Sequence, residues 1–226
     1  MKTLEIRTFA EFHNYVCGED SERHIFRGVR DAKKHMLIPS VGRLTAKQRG
    51  DSGFKSFERR IFAAFKDSAF PFLTNAPQTE LEWLAIAQHH GLPTRLLDWS
   101  YNPLVALFFA IERKHTDASA VYVYRPRDKT LRFNSVIDPF KQTKTQKYRP
   151  RHFADRIKAQ SSVFTIHHDP QTPLDEPSRT VMLTIPPTAR NELLSTLMRF
   201  KIGRATLFPG LDGIAAEIAT NCGKIG

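Results

Sequence analysis

The chain has 226 residues, 41% of them hydrophobic, which suits one compact domain with a full core rather than a repeat array, a coiled coil or a low-complexity tract. No apolar run approaches the ~18–20 residues needed to cross a bilayer, so a membrane partner is not expected. The formal charge of +11 and a pI near 9.9 point instead to a polyanionic partner.

The start, Met1-Lys2-Thr3-Leu4-Glu5, has no hydrophobic stretch of the secretory kind. Cys17 and Cys222 lie near opposite ends without metal-type spacing, so two free thiols or a disulfide between them are both open. The expected compartment is the cytoplasm.

His24-Ile25-Phe26-Arg27-Gly28-Val29 reads as a strand that sets Arg27 between apolar neighbours, with Gly28 allowing a close approach to the backbone. Phe54, Phe57, Ile61, Phe62 and Phe65 recur at helical spacing, predicting an amphipathic helix over 54–70. Thr79 with Glu82 three residues on has the form of a capping box. The helix it opens should run through Ala87 and end near Gly91, before Pro93. Asn102-Pro103 starts another helix, apolar on nearly all sides through Ala110 and therefore expected to be buried.

Ala120–Tyr124, Ser162–Ile166 and Val181–Ile185 read as strands. A helix is expected from about Thr188 to Phe200, and the turn-rich Leu207–Gly213 leads to a short last one. Between them, residues 125–158 hold eleven Lys or Arg against three Asp, a local charge of +8. This stretch is either a solvated, mobile basic loop or a surface that tracks phosphates, and few aromatics interleave to offer a stacking platform. Helices and strands mix as α+β without βαβ alternation, and no G-x-G-x-x-G or Walker motif appears.

The densest polar cluster is Gln88-His89-His90-Gly91-Leu92-Pro93-Thr94-Arg95-Leu96-Leu97-Asp98-Trp99-Ser100. Such groups beside apolar helices must pair with one another or with a ligand. One arrangement is an Arg95–Asp98 pair with His89 at a helix end; the other is a lined pocket. Metal binding fits poorly, because His89 and His90 diverge by about 100° on a helix and no second His or Cys set stands at ligand spacing. A triad of Ser100, His89 and Asp98 would lack the usual elbow around its nucleophile.

Phe26-Arg27-Gly28, the run Trp83–Ser100, Asn102-Pro103 with Ala106–Ala110, Arg156–Gln160 with Phe164-Thr165, and Leu207–Gly213 together resemble an FRG domain. That resemblance covers nearly the whole chain as a single domain, 1–226, with the basic segment 125–158 inside it. More distantly, the order of motifs is similar to ADP-ribosyltransferases of the Arg-Ser-Glu class. This second resemblance implies an ADP-ribosyltransferase-like fold of mixed or antiparallel sheets flanked by helices. It also implies NAD as substrate and transfer of ADP-ribose, a glycosyltransferase chemistry.

On that resemblance Arg27 holds the NAD phosphates or nicotinamide ribose, and Trp99-Ser100 leads into the second motif. Gln160, at the start of the 161–166 strand, stands nearest to the third. The implied catalytic set is Arg27, Gln160, Ser100, Asp98 and His89, and the implied NAD-binding set is Arg27, Gly28, Arg95, Trp99 and Ser100. A planar guanidinium suits a pyrophosphate, and a polar group near the ribose hydroxyls can stabilise an oxocarbenium-like centre. No carboxylate follows Gln160 two residues on, where Ser162 stands; Asp98 or Glu217 could supply one.

The acceptor expected from the charge is nucleic acid, in particular a DNA base, held by Lys141, Lys144, Lys147, Arg149 and Arg151. By analogy such an activity belongs to a toxin or a phage-defence effector. The competing readings are a non-catalytic sensor that binds a nucleotide or nucleic acid, and a metal-independent hydrolase using His89 and Asp98.

Overall fold

The computed structural model describes residues 1–18, 23–50 and 53–221. Cys17 is exposed, whereas Cys222 lies outside the described residues. None of the described helices is long and apolar enough to cross a membrane.

A short strand β1 (Lys2–Glu5) leads to helix α1 (Phe9–Val16), whose start is locked by Thr8 and Glu11 exchanging backbone hydrogen bonds. Neither element was expected, because each is too short for its periodicity to stand out. Strand β2 (Ile25–Val29), helix α2 (Ala46–Arg49) and helix α3 (Phe54–Ala69) follow. Helix α4 (Glu80–His89) is capped by Thr79, which accepts from Glu82 N. The reciprocal half of the expected box is displaced by one residue, since Glu82 Oε2 accepts from Gln78 N. The C-terminus of α4 closes on Gly91 at φ 90°, with Gly91 N bonding Gln88 O and Leu92 N bonding Ala87 O.

Strand β3 (Leu96–Ser100) then enters helix α5 (Pro103–Ile111) through an Asn102 cap and a proline at the first turn. The rest comprises β4 (Ser119–Tyr124), β5 (Leu131–Arg132), β6 (Gln146–Arg149), α6 (Asp155–Ala159), β7 (Ser162–Ile166), β8 (Thr180–Ile185), α7 (Arg190–Arg199), α8 (Arg204–Leu207) and α9 (Leu211–Asn221).

One mixed sheet orders the strands β1-β8-β4-β2-β3-β7-β6-β5, parallel at its two outer pairs and antiparallel between them. Helices α5 and α7 cover one half with a core that includes Phe26, Leu107, Val121 and Leu193. Helices α3 and α4 cover the other half through Phe62, Leu84, Tyr148 and Phe164. On the reverse side, Trp99, Tyr122 and Tyr124 pack with Leu37.

The basic segment is not a solvated loop. Its apolar residues, Leu131, Ile137, Phe140, Tyr148 and Phe153, anchor β5 and β6 to the α3–α4 core, and that burial organises the charges around them.

Candidate functional site at the parting of the sheet

The two halves of the sheet meet weakly. β2 is registered with β4 over five residues and β3 with β7 over five, but β2 and β3 pair only at Phe26↔Ser100. Beyond that pair the strands part, and the gap is bridged by a side chain: Arg27 Nη1 donates to the Asp98 carbonyl at 2.6 Å. Its Nε is buried with no partner. Burial pushes the Arg27 pKa down, Asp98 opposes this, and Arg43 adds to it.

A cavity of about 480 Å³ opens at this parting, floored by Phe26, Gly28, Asp98 and Ser100 and walled by α4, α5 and the α6–β7 junction. That size suits a small-molecule ligand. Among the described residues that line it, Asp98 is the only carboxylate. Its Oδ2 accepts from Gln88 Nε2 at 3.0 Å and lies 3.8 Å from Arg27 Nη1. Thr94 Oγ1 donates to Gln88 Oε1 at 2.6 Å, which fixes the amide so that its NH₂ faces Asp98. The Thr94–Gln88–Asp98 chain therefore holds the carboxylate in one orientation while its side chain stays open to the cavity.

Ser100 Oγ donates to the Gln160 carbonyl at 2.7 Å and accepts from Asn102 N at 2.9 Å. This hydroxyl ties the start of α5 to the end of α6, and keeps a lone pair but no proton for a ligand. Gln160 sits at the C-cap of α6, one residue before the left-handed Ser161, rather than inside a strand. Its amide donates to Leu207 O at 2.9 Å, leaving Oε1 as its acceptor toward the pocket. His89 lines the pocket edge-on to Phe153, and burial, with His90 and Arg156 adding, lowers its pKa. The ring is accordingly neutral near pH 7.

Three of the anticipated NAD contacts have other partners. Arg95 is buried and bidentate on Glu58, with Nε–Oε1 2.8 Å and Nη2–Oε2 2.5 Å, and Nη1 bonds the carbonyls of Pro139 and His167. It borders a separate hollow with His168 and Asp169 rather than this pocket, so of the two arrangements open to the sequence the Arg95–Asp98 pair does not form. Trp99 is among the residues lining the cavity, but its side chain alternates to the reverse face, where the indole packs on Tyr124 and donates to Thr165 Oγ1 at 2.9 Å. It offers no ring for stacking on a ligand in the cavity. Gly28 does admit a close approach, but by helix α5: a Cβ there would lie 1.9 Å from Ala106 O and 2.6 Å from Ala110 N.

Glu217 bonds Ala205 N at the start of α8 and does not line the pocket. Gln88, Arg156 and Phe109 do line it without having been singled out. The one available signal was their place inside the Trp83–Ser100, Arg156–Gln160 and Ala106–Ala110 motifs.

Of the basic residues, Lys144 pairs with Asp128 at 2.8 Å and Arg151 with Glu82 at 3.2 Å; Lys141 stands 4.0 Å from Asp138. Lys147 and Arg149 project from β6 on either side of buried Tyr148. One group of metal-type ligands, Asp31, His115 and Asp117, gathers elsewhere from distant segments. Its carboxylates already face ammonium groups, Lys34 at 3.6 Å from Asp31 and Lys33 at 3.9 Å from Asp117.

Compared with known families, residues 22–119 match the model of the FRG domain. The match includes Arg27, Gln88, His89, Asp98 and Ser100 and stops before Arg156 and Gln160. No curated protein and no solved structure matches the chain.

Proposed function

The chain carries an FRG domain, and on that premise we propose that it is an NAD-dependent ADP-ribosyltransferase that modifies nucleic acid, with the cavity at the β2–β3 parting as its active site. The parted sheet is read here as the ADP-ribosyltransferase-like arrangement that the order of motifs implies. The observation that carries the reading is the convergence of the Arg27 guanidinium and an oriented carboxylate on one cavity.

Arg27 would take the pyrophosphate with its guanidinium, whose planar fork suits a phosphate. Asp98 would supply the carboxylate that does not follow Gln160. As the nicotinamide–ribose bond breaks and nicotinamide leaves with the bonding electrons, positive charge grows on the ribose carbon, and a fixed carboxylate stabilises it. The acceptor nitrogen or oxygen then bonds to that carbon and gives up its proton, which Asp98 or neutral His89 can receive. Gln160 Oε1 can accept from a ribose hydroxyl.

Labelled NAD, incubated with the protein and single- or double-stranded DNA, tests this directly. Nicotinamide release with label on the nucleic acid is expected, falling by more than ~10²-fold in Arg27→Ala, Asp98→Asn and Gln160→Ala. No release, and no label on DNA, RNA or protein, would sink the proposal.

One observation favours a second reading, a nucleotide-binding sensor without turnover. Ser100 and the Gln160 amide are committed to backbone partners, as parts of a rigid binding site would be. Saturable NAD binding that Arg27→Ala abolishes, with no nicotinamide released, would select it.

A further inference from the structure

On the side away from the pocket the sheet has a face that this chemistry does not use. Leu131 and Tyr148 turn inward to the α3–α4 core, so by strand alternation Arg132, Lys147 and Arg149 project from the opposite side. Arg132 and Arg149 are register partners across β5 and β6, and both are exposed. Like charges set side by side across a ladder repel, and no carboxylate among the described residues pairs with either one. An anionic ligand would relieve that repulsion.

An aromatic ring joins the group from another strand. Tyr101 follows β3 directly and is 36% exposed, and its ring centroid lies 5.5 Å from the Lys147 ammonium. Burial raises the pKa of its hydroxyl, while the charges of Arg149 and Arg132 act on it in the opposite sense. The basic segment alone lacks a stacking platform, but the fold brings one to it.

We propose that Tyr101, Arg132, Lys147 and Arg149 form a binding surface for single-stranded nucleic acid, with a base stacked on the tyrosine and the arginines and lysine on the flanking phosphates. A duplex keeps its base faces covered, whereas a single strand offers them to an exposed ring. Ser100 and Tyr101 are consecutive but face opposite sides of the sheet, so a strand bound to this surface reaches the pocket by turning around the end of β3. The inference rests on the nucleic-acid half of the function proposed above.

The test is fluorescence anisotropy of a labelled oligothymidylate titrated with the full chain across a range of salt, without NAD. Tyr101→Leu should weaken binding about ten-fold while Tyr101→Phe binds like the parent, since stacking needs only the ring. Arg132→Gln with Arg149→Gln should flatten the slope of log affinity against log salt by about 1.4, the single-strand value for two lost phosphate contacts. Tyr101→Leu or the double arginine variant binding like the parent, or polyglutamate binding as tightly as the oligonucleotide, would overturn the proposal.

Nicotinamide release is scored on the same preparations. Oligonucleotide binding without release refutes the enzyme and keeps this surface, and release without binding does the reverse.

Discussion

Replacing Arg95 by methionine should unfold the protein sooner rather than empty its pocket. The guanidinium makes two bonds to Glu58, at 2.8 and 2.5 Å, and two to the carbonyls of Pro139 and His167, at 3.0 and 3.1 Å. Both charged side chains are 3% exposed, so water cannot replace the lost partner. Removing one member of a buried pair costs about 3–5 kcal/mol. At roughly 2–4 °C per kcal/mol for a chain of this length, the melting temperature should drop by about 6–20 °C.

Glu58→Leu should cost a similar amount, because it strands the guanidinium. The double variant should lose less than the sum of the two, since neither charge is then left buried alone. Thermal melting and urea unfolding followed by circular dichroism read these values. The reasoning fails if Arg95→Met melts within ~2 °C of the parent, a shift smaller than 1 kcal/mol of lost stability would give, yet loses ligand binding.

Gly28→Ala should also act on stability. The new methyl meets the backbone of α5 at 1.9 Å, where no side chain can swing aside, so the cost is about 1–3 kcal/mol or more. An unshifted melting curve with ligand binding lost would return Gly28 to the ligand. His167 should make the fold acid-sensitive. Burial, with His168, Arg27 and Arg95 contributing, holds its pKa down to about 3. The folded ring stays neutral where the unfolded one protonates, so the stability it contributes is fully present above pH ~6.5 and is lost as the pH falls toward 3, at ~1.4 kcal/mol per unit. Urea midpoints measured from pH 7 to 4 should fall less steeply in His167→Gln; parallel curves would refute the assignment.

Much of the framework is written locally. The phenylalanine spacing of α3, the Thr79 cap, Gly91 after α4 and the Asn102-Pro103 start of α5 all lie within a turn or two of what they control. Periodicity and capping act over the same range, so these elements are legible from neighbours in the chain. The strand β3 is less so, because Leu96–Ser100 alternates core residues between two faces and one exposed acid interrupts the pattern.

The partners of the polar groups were another matter. Arg95 and Asp98 stand three apart, yet β3 turns Arg95 toward Glu58, thirty-seven residues back, and Asp98 toward Gln88. Trp99 and Ser100 are adjacent and face opposite sides of the sheet, since successive side chains alternate along a strand. Tyr101 meets Lys147 only because β7 lies between β3 and β6.

The sequence by itself determined a basic chain, the helices α3, α4, α5, α7 and α9, the strands β2, β4, β7 and β8, the residue types that could handle a phosphate, and the motifs of an FRG domain. Only the tertiary structure decided which of those residues share a cavity. That choice depends on strand order and on the single pairing at which β2 and β3 meet, and both follow from contacts between segments far apart in the chain.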